Sequence, residues 1–220
     1  MTFLSYIRPR SLSTLSNQKF TIIDLIVLSS YYLFCLFLVL GLAGLFKKEF
    51  IIIGLAPLFL FFWFFRPLKL SFNKLAVFFV LVPVLFAGVL FIKGAFNGDG
   101  IDYWLPWARE IVLQGRMPDF LFNTTVWFAS RVPLMPLFYA GIFAFLGFHD
   151  WAAAILPFFF SAAAVFLLYQ WLKEKGVRKS YIIFGAILLL TNPLFLHLGG
   201  EVAQESIILF FFTAFFYYHF

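Results

Sequence analysis

Seven apolar runs, separated by short polar breaks, set the pattern of this chain: Thr21–Phe46, Phe50–Phe65, Leu75–Phe96, Val132–Phe148, Trp151–Leu172, Tyr181–Leu198 and Ile207–Phe220. A helix needs about 20 apolar residues to cross a bilayer's hydrocarbon core. A transmembrane barrel strand would instead alternate over about 10 residues. The pattern therefore predicts an all-α, polytopic transmembrane helical bundle. Two runs are short. Phe50–Phe65 is flanked by Arg66 and Lys69, whose long stems can carry their charges out to the headgroups. Val132–Phe148 opens with Pro133 and Pro136 and is ambiguous between a span and a segment lying in one leaflet.

Between the third and fourth runs the pattern changes. From Tyr103, residues Trp104, Trp107, Ala108, Ile111 and Val112 recur at helical spacing, while Arg109, Glu110 and Gln114 face the other way and Gly115 follows. This predicts a short amphipathic helix that lies in the membrane interface, with its two tryptophans as anchors, and is closed by glycine. Asn97-Gly98-Asp99-Gly100 ahead of it is a turn. Asp102 is placed to cap the helix. The domain reading is a cytoplasmic tail at 1–20, a transmembrane hairpin at 21–74 and a membrane module at 75–220, with an outer loop at 97–131.

Composition confirms the solvent. The chain is 64% hydrophobic and only 12% charged, against roughly 45–50% and 25% in soluble domains. The first run starts too late and runs too long for a cleavable signal. Cys35 has no partner in the chain and reads as a buried small thiol. The net charge of +6 points to membrane topology rather than to nucleic acid, since Lys and Arg collect in cytoplasmic loops. If every run crosses and the N-terminus is inside, six bases lie inside (Arg8, Arg10, Lys19, Arg66, Lys69, Lys74) and ten outside. If Val132–Phe148 stays in the outer leaflet, Lys173, Lys175, Arg178 and Lys179 move inside and the count reverses to ten and six. The second topology is the one expected. It places Glu201 and Glu205 on the outer side with Asp99 and Asp102, in a multi-pass protein of the plasma membrane.

The chemistry-bearing residues gather around that outer loop. Asp99 and Asp102 are its acids. Lys93, Arg116 and Arg131 flank it with cations suited to a phosphate. Glu201 and Glu205 open the last run, and acids at a membrane boundary are costly enough to suggest a role. His149, His197 and His219 show no metal-ligand spacing. Asn123-Thr124-Thr125 is a glycosylation sequon.

In order and spacing, Asp99-Gly-Ile-Asp-Tyr103, Trp107-Ala108-Arg109-Glu110 with Gly115, Pro133–Pro136 with Phe145-Leu146-Gly147, and Gly200-Glu-Val-Ala-Gln-Glu205 resemble the N-terminal module of the GT-C membrane glycosyltransferases. The likeness is to the branch holding protein O-mannosyltransferases and lipid A aminoarabinose transferases (families 39 and 83), and runs from about Leu75 to Phe220. It implies transfer of a sugar from a polyprenyl-phosphate donor to a lipid, glycan or protein acceptor at the extracytoplasmic face. The resemblance puts Asp99 in the position of the catalytic base or metal ligand, and Asp102 beside it. It also implies a supporting acid at Glu205, to which Glu201 is added as a neighbour in the sequence, and Asp99 and Glu205 are the expected ligands if a divalent cation (Mg or Mn) is used. There are departures. The adjacent Asp-Glu pair is absent, Glu stands for Asp at 205, and no acid precedes Pro133. Two extra spans come before the family's usual first one. The chain ends inside an apolar run, as an incomplete module would. A lipid or anion transporter, a flippase and a non-catalytic membrane fragment are the alternatives.

Overall fold

The computed structural model describes residues 22–64, 104–118, 134–190, 192 and 205–219. The tail at 1–20, the basic loop at 66–74, the run at 75–96, the sequon and the polar break at 199–204 lie outside them. The described residues form seven helices: α1 (Ile22–Leu42), α2 (Lys48–Phe64), α3 (Leu105–Gln114), α4 (Leu134–Leu146), α5 (Asp150–Glu174), α6 (Lys179–Leu190) and α7 (Glu205–His219). No strand occurs among them, so the chain is an all-α bundle.

α1 and α5, with 21 and 25 residues, are about 31 and 37 Å long at 1.5 Å per residue and are apolar enough to cross a membrane. α4, with 13 residues, is about 20 Å long, well short of the roughly 30 Å hydrocarbon core.

α1 ends at Leu42, earlier than its apolar run. Gly44 takes a left-handed φ of 70°. The Leu45 amide donates to the Leu40 carbonyl at 2.8 Å and the Gly44 amide to that of Gly41 at 3.4 Å. These are the two bonds of a Schellman cap. The reversal therefore occupies Ala43–Lys47, and Lys48 and Glu49 already belong to α2. α5 closes in the same way at Gly176, with φ 76°. There Val177 donates to Leu172 and Gly176 to Lys173, both at 3.1 Å.

An aromatic column joins the bundle. Phe37 of α1 meets Phe138 of α4 at 5.9 Å between ring centroids, Phe138 meets Phe160 of α5 at 5.2 Å, and Phe160 meets Phe210 of α7 at 5.3 Å. α5 and α7 pack against each other, and small residues are among those buried in each: Ser161, Ala162, Ala163 and Ala164 in α5 and Ala214 in α7. Small side chains let helix backbones approach closely, which is what drives packing in lipid. At one end, the Tyr217 hydroxyl donates to Glu174 at 2.8 Å and the Tyr218 hydroxyl donates to Asp24. The start of α1, the end of α5 and the end of α7 therefore meet at the same end of the bundle.

Cys35 is exposed, not buried as expected. It shares an outward stripe on α1 with Leu28, Tyr31, Val39 and Leu42. The reason is that both faces of α1 are apolar, so hydropathy could not tell its protein side from its lipid side.

Candidate functional site

The amphipathic helix expected after Tyr103 is α3. Trp104 holds its cap position with helical dihedrals and no side-chain cap, Pro106 lies in its first turn, and Gly115 ends it at φ 67°. Its expected apolar face is its buried face: Trp104, Leu105, Trp107, Ala108 and Ile111 are all buried. The two tryptophans pack edge to face at 5.3 Å between centroids. They are only 1% and 9% exposed. The expectation that they anchor in the headgroup layer is thereby corrected. The stripe that would have met lipid packs against the protein, chiefly against α4. Arg109, on the opposite face, reaches across to the first turn of α5. One guanidinium nitrogen donates to both carboxylate oxygens of Asp150, at 2.6 and 2.9 Å. The helix dipole favours the acid there.

The chain leaving α3 is pinned to the α1–α2 turn. The Phe46 amide donates to the Gly115 carbonyl at 2.7 Å, and the Met117 amide to the Gly41 carbonyl at 2.9 Å. Arg116 is exposed beside that turn. A Cβ placed on Gly44 would stand 3.9 Å from that of Arg116. Glu205 opens α7 and is exposed. Tyr139 of α4 is fully buried, and its hydroxyl has no hydrogen-bond partner among the described residues. The Ser206 hydroxyl is likewise buried and unpartnered among them. Sequence reasoning did not single out Tyr139 or Ser206. Within an apolar run a hydroxyl-bearing residue announces nothing until its neighbours are known.

Asp99, Asp102, Lys93, Arg131 and Glu201 lie outside the described residues. Of the expected site residues, Arg116 and Glu205 are described. Among the described residues no three His, Cys, Asp or Glu side chains gather as a metal site.

Comparison with known families bears on the same region. Residues 115–220 match the family model of dolichyl-phosphate-mannose-protein mannosyltransferase. The resemblance to the GT-C membrane glycosyltransferases holds over that span, and the match supports a membrane glycosyltransferase. The matched span contains Arg116, Arg131, Glu201 and Glu205. It leaves out Asp99, Asp102, Lys93 and the whole α1–α2 hairpin. No curated protein and no solved structure matches the chain.

Proposed function

We propose that this chain belongs to an enzyme that moves a sugar from a polyprenyl-phosphate carrier to an acceptor hydroxyl at the extracytoplasmic face of the membrane. The observation that carries the reading is the mannosyltransferase family match over residues 115–220. In such a transfer a base takes the proton of the acceptor hydroxyl as that oxygen attacks the anomeric carbon. The carbon–oxygen bond to the lipid phosphate breaks, and the phosphate leaves with the electron pair. Asp99 is the base in this proposal. Asp102, Glu201 and Glu205 shape the field around it in this proposal. Arg131 and Lys93 neutralise the departing phosphate, where preorganised cations act most strongly in a dry cavity. No step is routed through a metal ion.

The orientation in this proposal takes the N-terminus as inside, from the distribution of Lys and Arg, and a parity argument supports the number of crossings. Asp24 and Glu174 meet neighbouring tyrosines at the end of α7. Between them the chain crosses the membrane an even number of times if it starts and finishes on one side. Counting the apolar runs of the sequence at 21–46, 50–65, 75–96 and 151–172 as spans gives four crossings. In this reading Val132–Phe148 stays in one leaflet, which the short α4 supports; with the N-terminus taken as inside, the α1–α2 turn, the first loop and Glu205 are proposed to lie on the outer side.

The test is a transfer assay with the purified full-length chain and a polyprenyl-phosphate mannose donor. Asp99→Asn is expected to lower the rate by at least about 100-fold, as removal of a general base does. Full activity in that variant would remove Asp99 from the role.

A further inference from the structure

The α1–α2 turn carries Lys47 and Lys48, and both are exposed. Lys47 precedes and Lys48 begins α2, where the helix dipole disfavours cations, and Glu49 is the acid of that first turn. Their position is not a matter of chance drift. Two backbone hydrogen bonds, Phe46 to Gly115 and Met117 to Gly41, clamp the turn onto the chain leaving α3. The left-handed glycines Gly44 and Gly115 bring the two segments into contact. A Cβ on Gly115 would lie 3.6 Å from the Lys47 Cε, and one on Gly44 would lie 3.9 Å from the Arg116 Cβ. Three cations from two distant segments of the sequence thus share one surface. Lys48 extends over the ring of Phe145, 5.9 Å from its centroid. Around them Leu42, Leu45, Phe50, Phe145, Leu146 and Phe148 are exposed.

We propose that Lys47, Lys48 and Arg116 form a headgroup site for an anionic phospholipid, with the exposed apolar rim receiving its acyl chains. Charge and shape both favour this occupant. A phosphodiester offers oxygen acceptors to the guanidinium fork and to two ammonium groups. The apolar residues beside the cations suit a molecule that is ionic at one end and hydrocarbon at the other. All three cations are open to the surroundings rather than enclosed, which suits a membrane lipid arriving laterally. The site is built in part from the hairpin that the family match leaves out. It does not depend on the transfer reaction proposed above.

The full-length chain, purified in detergent, is offered phosphatidylglycerol or phosphatidylcholine, and retained lipid is counted by native mass spectrometry. The chain is expected to retain phosphatidylglycerol over phosphatidylcholine by at least about tenfold, given the attraction of each base near an anionic lipid surface. The triple variant Lys47→Gln, Lys48→Gln, Arg116→Gln is expected to lose that preference. A control with Lys173→Gln, Lys175→Gln and Arg178→Gln, at the far end of α5, is expected to keep it. An unchanged preference in the first variant overturns the site, and so does its loss in the control alone. Displacement of phosphatidylglycerol by polyprenyl phosphate at equal concentration also overturns it, since the surface would then belong to the sugar donor. Should the triple variant fail to fold, Lys47→Glu alone, expected to lower the preference at least about threefold, decides in its place. The transfer assay run beside it separates the two claims: loss of transfer with lipid retention intact touches only the proposed reaction.

Discussion

The turns after α1 and after α5 are built from the same local parts and put to different use. Each ends its helix with a Schellman cap on a left-handed glycine, Gly44 or Gly176. Each has basic residues close by. At the first turn the chain is clamped to Gly115 and Met117 by backbone hydrogen bonds. At the second, a Cβ on Gly176 would meet nothing within 4 Å among the described residues. Local chemistry thus decides where a helix stops. It does not decide whether the stop becomes part of a surface shared with another segment.

Helix-interior glycines carry the same contrast and offer its sharpest test. A Cβ on Gly141 of α4 would sit 2.6 Å from the Phe37 ring, inside the aromatic column. Gly141→Ala is expected to destabilise the bundle by about 2 kcal/mol through overpacking, read from a denaturant midpoint in mixed micelles. A neutral result would mean that α1 and α4 pack loosely. Next in size are the left-handed positions. Gly115→Ala and Gly176→Ala should each cost about 1 kcal/mol in backbone strain. Only Gly115→Ala should also speed hydrogen exchange at the Phe46 amide, because only there does the strained residue accept a bond from another segment. Equal exchange in both variants would dissolve the distinction between the two turns.

The Arg109–Asp150 pair comes third. Both side chains are about two-fifths exposed, at 41% and 39%, so a double-mutant cycle with Arg109→Gln and Asp150→Asn should give a coupling of about 0.5 kcal/mol. A coupling above about 2 kcal/mol would show a pair far better shielded than this geometry allows. The smallest effect has the opposite sign. Among the described residues nothing stands within 4 Å of a Cβ on Gly185 of α6, so Gly185→Ala should stabilise by roughly 0.5 kcal/mol through helix propensity. Destabilisation there would mean that another surface packs against α6.

Much of α3 was legible beforehand. Its buried face follows from the spacing of Trp104, Trp107, Ala108 and Ile111, and its end follows from Gly115. The helix is the one described element whose two faces differ in polarity, so periodicity carries information there. What it packs against was not legible. A tryptophan pair beside a membrane reads equally well as a headgroup anchor or as core, and the packing of α4 against it decides for core. The long helices show the opposite limit. Leu28, Tyr31, Cys35, Val39 and Leu42 face outward on α1 while Ile23, Phe37 and Leu40 face inward. Nothing in hydropathy separates the two sets, because lipid is as apolar as the bundle's interior.

The site divides along similar lines. The acid at 205 and the base at 116 stood out in the sequence because charge is costly beside a membrane. Tyr139 did not, because a tyrosine in an apolar run costs little until its hydroxyl is buried without a partner. Nor did the link between Lys47 and Arg116, which are separated along the chain by the whole of α2 and α3.

By itself the sequence determined that this is a helical membrane protein, where most of its apolar runs lie, and which glycine ends α3. Those properties follow from local hydropathy and from backbone conformations that one residue can set. Only the tertiary structure decided which apolar faces meet protein, that the hairpin turn docks onto the end of α3, and that the start of α1 and the end of α5 share one end of the bundle. Each of these depends on shape complementarity and on hydrogen bonds between distant segments, and in a lipid solvent neither leaves a mark on the order of polar and apolar residues.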